Sequence, residues 1–476
     1  MIGAYFRLMQ LGAQDLWYDE AFTAWAARLP LADLLRAVAG DVHPPLWYLV
    51  EAVAVRFLGN GNPPSAGLLR LPAALCSIAA LALIPALSKA LGLSRQTGTV
   101  ATWVLALSPF QVWYAQEGRM YALLLLAVEA GALGLFSGRL WLYGIASTVM
   151  LYTHNIGGFY WLLLMFWPVL DLVIRQAKGY NPNWMVNRKG WLFWSWVAAL
   201  LYLPWGVVAA KQAGAVAGSF WVQRPTVGAI PLTLHKLLWG PAPPWLGDLL
   251  VPLSALLVLV AVWGGVRGKR WALLWLAFVP LLITWIVSQF TPILIERLMI
   301  GCTPFLALLL GEMAGRSENA RLVLGLAGVL AILVVSLFLF DPTVQRGDVG
   351  RFVEPVQAQY DGGDAVLHTC IPSYVLLSIY APEMDHYLWR QANDLSQSLT
   401  DQTKQAMHMR ETTVEQLLQD HARVWVYYSD SPVTSEAERA ENARIRATYG
   451  VVWSLVLDDD ELIESGVYLV EARHEP

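Results

Sequence analysis

Two adjacent carboxylates, Asp19 and Glu20, stand in the segment LWYDEAFTAW and are the clearest candidates for acid–base chemistry. Aromatic rings frame them, with Trp17 and Tyr18 on one side and Trp25 on the other. Partial removal of water by such rings raises a carboxyl pKa towards the range that a general base needs. The alternative is a solvated helix start, where acidic side chains in the first turn oppose the helix dipole.

Imidazole, guanidinium and carboxylate side chains recur where other apolar stretches end. They are His43 in DVHPPLWYL, Arg70 in LLRLPAAL, Glu117 and Arg119 in SPFQVWYAQEGRMYALLL, His154 in LYTHNIGG, and Arg297 in ILIERLMIGCTP. Arginine binds phosphate well, and histidine can also carry a proton. The structural alternatives are a histidine satisfied at the membrane interface, an arginine that reaches lipid head groups, and a Glu–Arg pair that holds a helical hairpin. Their recurrence at one membrane level predicts a site for a phosphate-bearing substrate.

The elements that must position these side chains are strongly apolar. Of 476 residues, 57% are hydrophobic and 14% are charged, whereas soluble domains average roughly 45–50% and about 25%. Residues 1–340 carry 13 acidic and 22 basic side chains, and residues 341–476 carry 23 and 10. This division predicts a membrane domain of net charge +9 followed by a soluble domain of net charge −13. The composition excludes a typical soluble enzyme and a disordered chain, and it offers no basic footprint for nucleic acid.

Apolar stretches predict an α-helical polytopic membrane protein with about eleven transmembrane helices. The first stretch, at 1–13, is short and covers about 20 Å of a ~30 Å hydrocarbon core. The other ten are near 71–88, 98–115, 120–137, 140–153, 156–174, 191–210, 246–266, 271–290, 298–314 and 321–340. Twelve Lys and Arg residues in alternate loops place those loops in the cytoplasm, so that the remaining loops and the acidic domain are extracytoplasmic. The first outer loop, 14–70, is predicted to contain two interfacial helices, near 30–39 and 43–59.

Taken in order, the motifs WYDEAFTAW, DVHPPLWYL, LLRLPAAL, SPFQVWYAQEGRMYALLLL, YTHNIGG and ERLMIGCTP resemble those of bacterial membrane glycosyltransferases with the C-type fold. The resemblance covers about residues 14–312. It is to the dolichyl-phosphate-mannose protein mannosyltransferases and their relatives, including the lipid A aminoarabinose transferases. It implies transfer of a hexosyl or pentosyl group, with inversion, from a polyprenyl-phosphate carrier. The implied acceptor is a glycan, lipid or protein at the outer face of the inner membrane.

The same resemblance assigns roles to the motif residues. It implies that Asp19 is the base that deprotonates the acceptor hydroxyl, with Glu20 as its partner. Contacts to the donor phosphate or substrate are implied for His43, Arg70, Glu117, Arg119, His154 and Arg297. Fixed cations placed where the charge of a leaving phosphate develops would lower the barrier. The resemblance leaves a divalent metal, Mg²⁺ or Mn²⁺, open, although the sequence has no further carboxylate cluster that demands one.

The acidic region, 341–476, reads as a small layered α/β domain in which strands and helices alternate. Its start, DVGRFVEPVQ…GGDAVL, also resembles the extracytoplasmic domain of some bacterial family members. The predicted strands are 364–369, 423–429, 451–457 and 466–472, and the predicted helices are 373–380, 411–421 and 434–447. This domain is expected to be a stabilising cap, with an acceptor-binding module as the alternative.

Two functions of other classes compete with glycosyl transfer. One is a transporter or flippase of lipid-linked sugars, which is expected to show internal repeats and helices broken at the membrane midplane. The sequence shows no repeat, and its ionisable residues cluster at the outer face. The other is a non-catalytic membrane scaffold that displays the acidic domain, and this leaves the Asp19–Glu20 pair unexplained.

Overall fold

The computed structural model describes residues 1–59, 64–175, 188–219, 222–240, 242–341, 344, 349–391, 399–430, 435–460 and 463–471. Lys178, one of the twelve loop cations, lies outside these ranges. The described part is mostly helical, with one six-stranded sheet near its C-terminal end. The predicted fold class, mostly helical with a small C-terminal sheet, is therefore confirmed, while the division into two domains with a boundary at residue 341 stays a prediction.

The chain begins with a short helix, α1 (Ile2–Leu8). Three helices then lie in the predicted first outer loop: α2 (Tyr18–Arg28), α3 (Leu31–Gly40) and α4 (Leu46–Leu58). Helices α3 and α4 lie where the sequence predicted two helices, whereas α2 was not predicted as an element of its own. It begins where the Trp17 backbone N–H donates to Glu20 Oε2 at 3.4 Å, half of a capping box. Helix α1 has seven residues, about 10 Å, and is therefore shorter than the first span predicted over 1–13.

The remaining helices of the first 340 residues form a bundle. They are α5 (Ala66–Ala90), α6 (Arg95–Leu107), α7 (Pro109–Ala115), α8 (Tyr121–Phe136), α9 (Leu140–Thr153), α10 (Gly157–Arg175), α11 (Arg188–Ser219), α12 (Ala229–Trp239), α13 (Gly247–Arg267), α14 (Trp271–Val287), α15 (Thr303–Ala314) and α16 (Glu318–Phe340). Five helical segments of the described chain are long and apolar enough to cross a membrane: Ala66–Ala90, Lys189–Gly214, Pro244–Arg267, Glu296–Ala314 and Glu318–Phe340. Four shorter apolar helices, α8, α9, α10 and α14, accompany them. The total of eleven spans stays a prediction.

Two predicted spans differ in the structure because local chemistry interrupts them. The span predicted at 98–115 was wrong as one helix, since α6 ends and α7 begins at Ser108–Pro109. Proline has no N–H to continue the first helix, and Ser108 Oγ accepts from the Gln111 backbone N–H at 3.3 Å to start the second. The span predicted at 298–314 begins instead as a 3₁₀-helix, Glu296–Cys302, before α15. Helix α12 lies between the spans predicted at 191–210 and 246–266 and was not predicted.

The C-terminal elements alternate as the sequence predicts. They are α17 (Gly350–Gln357), β1 (Ala365–His368), α18 (Ile371–Tyr380), β2 (His386–Trp389), α19 (Asp401–Ala406), β3 (Glu411–Thr412), α20 (Val414–Asp420), β4 (Arg423–Asp430), α21 (Glu436–Thr448), β5 (Val451–Asp460) and β6 (Ile463–Glu471). The strand order is β3-β2-β1-β4-β6-β5; the first four strands are parallel, and β6 is antiparallel to both of its neighbours, β4 and β5. The short elements β2, β3, α17 and α19 were missed. The helix predicted over 411–421 starts later, at Val414, because residues 411–412 belong to β3 and Thr413 caps the helix.

The C-terminal portion contacts the predicted first outer loop, 14–70, directly. Helix α18 lies against α2, where the Tyr374 ring stacks on Trp25 with centroids 5.6 Å apart. The Leu16 backbone N–H donates to Tyr380 Oη at 2.6 Å. Helix α19 lies against α3, where Thr403 Oγ1 donates to a backbone carbonyl at 2.9 Å. The sheet is therefore attached to the helices that carry the candidate acidic residues.

Candidate functional site

Glu20 is fully buried and forms a bidentate ion pair with Arg70. Arg70 Nε donates to Glu20 Oε1 at 2.9 Å, and Nη2 donates to Oε2 at 2.8 Å. The Gly118 backbone N–H adds a third bond to Oε1 at 2.7 Å. Together with the bond from Trp17, this carboxylate accepts four hydrogen bonds. Its hydrogen-bonding capacity is used within the protein.

The rest of the Arg70 guanidinium holds the chain that leads into α2. Nη1 donates to the carbonyls of Leu11 and Gln14 at 3.2 and 2.8 Å, and Nη2 donates to the Asp15 carbonyl at 2.7 Å. All three nitrogens of Arg70 are thus bonded to protein atoms, and the side chain is 2% exposed. Arg70 connects α5 to the start of α2 and has no spare donor for a ligand.

Asp19 faces a different environment from its neighbour, since consecutive helical residues point about 100° apart. Its side chain is 21% exposed, and Oδ2 lies 3.8 Å from Arg297 Nη1. This distance is beyond hydrogen-bond range. Among the described residues, this is the one ion pair that Asp19 forms. The carboxylate is therefore positioned by the helix and a nearby cation while its oxygens keep room for a proton.

Arg119 lies beneath Asp19 and is buried. Its Nη1 donates to the Asp19 carbonyl at 3.2 Å, to Thr23 Oγ1 at 3.0 Å and to Tyr48 Oη at 3.2 Å. Its Nε has no hydrogen-bond partner within the described chain. The sequence offered a Glu117–Arg119 pair as the alternative, but the bonds of Arg119 run to α2 and α4.

Arg297, in the 3₁₀-helix, approaches the same place from the other side. Its guanidinium carbon lies 5.6 Å from the ring centroid of Trp17 and 5.6 Å from that of Tyr121. These cation–π contacts hold the side chain without using its N–H groups. As in Arg119, Nε has no partner among the described residues. Arg119 and Arg297 thus both contact Asp19, and each has an Nε–H group that is not hydrogen-bonded within the described chain.

Two histidine rings, His43 and His154, contact each other in a tilted arrangement, with centroids 4.8 Å apart, and His154 also contacts Tyr121. The Ile156 backbone N–H donates to His154 Nδ1 at 3.1 Å, so a neutral His154 carries its proton on Nε2. That Nε2 has no partner in the described structure, and neither has His43 Nδ1. Burial, with His154 and the nearby arginines, holds the pKa of His43 well below its ordinary value. His43 is therefore neutral at pH 7.

The turn that carries Glu117 and Arg119 is attached through its backbone. Between them, Gly118 gives its N–H to Glu20 and accepts from Trp47 Nε1 at 3.0 Å. Glu117 itself is buried. A side chain at position 118 would come within 3.1 Å of a backbone carbonyl of α5, so glycine permits this close approach. The Glu20–Arg70 pair therefore also fixes the position of Arg119.

Asp41 received no role from the sequence but belongs to this site. Tyr48 Oη donates to Asp41 Oδ2 at 3.2 Å, and this tyrosine oxygen also accepts a hydrogen bond from Arg119 Nη1. Burial raises the pKa of Asp41 to about 7, with Arg119 acting in the opposite direction. Its position two residues before His43, in DVHPP, is the signal that could have identified it. Tyr48, Tyr121 and Thr23 were missed because ring and hydroxyl side chains at helix surfaces carry no local signal.

The structure thus separates the predicted residues into two groups. One group is linked by the contacts described above and has unused donors or acceptors: Asp19, His43, Arg119, His154 and Arg297. The other is the saturated pair, Glu20 and Arg70, with the buried Glu117 near both. In the described residues, no group of three or more His, Cys, Asp or Glu side chains could hold a metal ion.

Solved structures with the same architecture support this description of the fold. The crystal structure of ArnT from Cupriavidus metallidurans in the apo state matches with a TM-score of 0.62 and 14% sequence identity, over 98% of this chain and 96% of ArnT. The chain has the ArnT fold. A crystal structure of the same ArnT bound to undecaprenyl phosphate matches over the same shares, with a TM-score of 0.57 and 14% identity. An oligosaccharyltransferase from Archaeoglobus fulgidus, in complex with Zn and sulfate, covers 91% of this chain and 72% of its own at 10% identity and a TM-score of 0.47, too distant to add to the assignment.

The ArnT fold confirms the predicted C-type glycosyltransferase fold with its small C-terminal sheet. Together with the apolar helices, it makes the protein an integral membrane protein. No protein-family model matches the sequence, and no curated protein sequence matches it.

Proposed function

We propose that this protein transfers a hexosyl or pentosyl group from a polyprenyl-phosphate donor to an acceptor hydroxyl at the extracytoplasmic face of the inner membrane. The observation that supports this most is Asp19, a partly exposed carboxylate between two arginines that each retain an unpartnered Nε. A base beside available cations is what the chemistry requires when a hydroxyl loses a proton while a phosphate leaves. ArnT, which has the same fold, has been crystallised bound to undecaprenyl phosphate, and this favours the same class of donor.

Asp19 acts as the general base in the proposed step. The acceptor O–H bond breaks, the proton passes to a carboxylate oxygen of Asp19, and the acceptor oxygen bonds to the anomeric carbon. The bond between that carbon and the phosphate oxygen breaks, and its electron pair leaves with polyprenyl phosphate. Because the acceptor attacks opposite to the leaving phosphate, the anomeric configuration is inverted.

Arg119, Arg297 and His154 stabilise the leaving phosphate. The Nε–H groups of both arginines and the Nε2–H of His154 are donors without protein partners. Such donors interact more strongly with an anion in a site that excludes water, and they need no reorganisation when charge develops. His43 faces His154 and completes this side of the site as a second, neutral imidazole.

Glu20 and Arg70 take a different role from the one that the resemblance implied. Because all their polar atoms bond within the protein, we assign them to positioning. They hold the start of α2 and the turn before α8, and thereby set the distance between Asp19 and Arg119. The small C-terminal sheet supports the same helix from outside through α18.

The test is sugar transfer by the purified full chain in detergent. Radiolabelled polyprenyl-phosphate sugars are supplied one at a time, and the release of sugar is measured for the wild type and Asp19→Asn. Asp33→Asn is the matched control, since Asp33 lies on α3 in the same loop and pairs with Arg36 at the surface. We expect release by the wild type and the control, and a loss of about 10²–10⁴-fold in Asp19→Asn.

Equal release by Asp19→Asn and the wild type would overturn the role of Asp19. Absence of both binding and turnover with every donor, in a protein that remains folded, would instead favour transport or a scaffold. Binding of a donor without release by the wild type would call for the addition of acceptors. A glycan, a lipid and a protein are then tested separately.

A further inference from the structure

A second site lies in the helix bundle, away from Asp19. A groove of about 410 Å³ runs between α6, α13, α15 and α16, and its lining is almost entirely apolar. This volume falls within the ~300–1,000 Å³ of ordinary ligand sites. Leu306 and Leu310 of α15 form its floor, and Trp239 of α12 lies at one end. The groove is independent of the proposed chemistry and shares no residue with it.

Glycines keep this groove open. Gly325 and Gly328 of α16 line it, and a Cβ atom built on Gly325 would meet no atom within 4 Å. A glycine that serves close helix packing would instead place its Cβ against a neighbouring helix, as Gly311 of α15 does against Thr97 at 2.5 Å. The space beside Gly325 is thus left for something that the chain does not supply.

The groove has one charged end. Arg321 is the charged residue among the described residues that line it, and its side chain is 53% exposed. Its partner is Glu318, at 3.4 Å and 92% exposed, and such a surface pair contributes little. The nearby buried acid, Glu312, is already occupied by Arg270 and Arg316 at 2.8 and 2.6 Å. Arg321 therefore remains available to an anion.

The charged end is opposite to the candidate catalytic site. Arg297 lies in the 3₁₀-helix that leads into the start of α15, and Arg321 lies in the first turn of α16, just beyond the end of α15. The twelve residues of α15 separate these levels by about 18 Å. A lipid with its phosphate at Arg321 enters the groove from the end that carries the basic loops, whereas a donor with its phosphate at Arg297 is held at the other end.

We propose that this groove binds an anionic glycerophospholipid, with its phosphate at Arg321 and an acyl chain along α15 and α16. Apolar walls suit a hydrocarbon chain, and the exposed guanidinium suits a phosphate. Basic pockets between transmembrane helices are known to select anionic head groups. The lipid fills space that the helices leave open and stabilises the contact between α15 and α16.

Binding is measured by native mass spectrometry and by the shift of Tm when the full chain in detergent receives phosphatidylglycerol or phosphatidylcholine. We expect phosphatidylglycerol to bind and raise Tm, and phosphatidylcholine to bind at least fivefold more weakly. Arg321→Gln should weaken phosphatidylglycerol about fivefold, since one basic residue near the surface is worth ≈ 1 kcal/mol. Gly325→Leu should abolish the shift by filling the groove.

Matched controls separate the site from general effects. Arg139→Gln removes an exposed cation at the same end of the bundle, and Gly206→Leu adds the same side chain on α11. Neither should change the binding of phosphatidylglycerol. Equal binding of the two lipids, or equal effects of target and control variants, would overturn the proposal. Displacement of phosphatidylglycerol by undecaprenyl phosphate, with loss of that displacement in Gly325→Leu, would overturn it in favour of a groove for the donor tail.

Discussion

Glu20 and Asp19 are neighbours in α2, and the regions they face differ in how far polar groups are satisfied. Around Glu20, every nitrogen of Arg70 and both carboxylate oxygens have partners within the protein. Around Asp19, two arginines and two histidines keep polar atoms without partners in the described chain. A buried unsatisfied donor costs about 1–3 kcal/mol, and its retention points to a ligand. This difference supports the roles proposed above, positioning for Glu20 and Arg70 and chemistry for Asp19 and its neighbours.

The largest expected effect is on stability and comes from the saturated side. Glu20→Gln leaves the buried Arg70 charge without its counter-ion, and we expect a loss of about 3–5 kcal/mol in the free energy of unfolding. Asp19→Asn, at the next position, should change it by no more than about 0.5 kcal/mol. Denaturant or thermal unfolding in detergent measures both. Equal losses would remove the distinction between the two carboxylates.

A pH effect is expected next, from Asp41. Its pKa is about 7 in the folded protein, above the ordinary value of 3.8, so the folded state binds the proton more tightly. The free energy of unfolding should therefore fall as pH rises from about 4 to about 7, by up to about 4 kcal/mol. Asp41→Asn should lose this dependence, while Asp33→Asn should retain it. A wild-type stability that is flat across this range would contradict the assignment.

Arg297→Gln tests the unsaturated side directly. The variant removes a charged donor from the proposed phosphate site, and we expect about a 10- to 100-fold fall in kcat/KM for a polyprenyl-phosphate sugar, from a charge-assisted bond worth about 1.5–3 kcal/mol. Unfolding should change little, because the side chain forms no short ion pair. Arg36→Gln, on the surface of α3, serves as the control. Unfolding of Arg297→Gln in place of a kinetic defect would show that this arginine belongs with Arg70.

The smallest effect concerns the link between the C-terminal sheet and α2. Tyr380→Phe removes the oxygen that accepts from the Leu16 backbone N–H, a bond worth about 1 kcal/mol. We expect kcat to fall about fivefold with KM for the donor unchanged. Tyr387→Phe loses a comparable bond to Asp385, far from α2, and should leave kcat unchanged. A fall in both variants would indicate general destabilisation of the sheet.

Local signals in the sequence predict much of this fold. Helix α9 lies at the predicted residues 140–153, since an apolar run reports on its own environment. Ser108 and Pro109 are an equally local signal for a helix break, but the apolar run on both sides of them predicted a single helix. Strand β3 has two residues, too few for any periodicity. Its existence depends on pairing with β2, which no single segment encodes.

The site was predictable only in part, for the same reason. The types of Asp19, Arg119 and Arg297 indicate chemistry, and their placement at the ends of apolar runs indicates one level. The partner of Glu20 is 50 positions away, and nothing in either segment shows that the two meet. The resemblance therefore implied a phosphate contact for Arg70, whereas in the structure all of its nitrogens donate to protein atoms. Asp41 acquires its role through Tyr48, a contact that only the folded loop creates.

The attachment of α18 to α2 links the structure around Asp19 to the order in which the chain is synthesised. Asp19 leaves the ribosome before Tyr374 and Tyr380, which brace its helix and lie more than 350 residues further along the chain. Val349, whose backbone N–H donates to Asp15 Oδ2 at 2.8 Å, is likewise synthesised long after Asp15. A nascent or prematurely terminated chain thus carries its acidic motif without the brace. The brace on α2 therefore forms only after α18 has been synthesised.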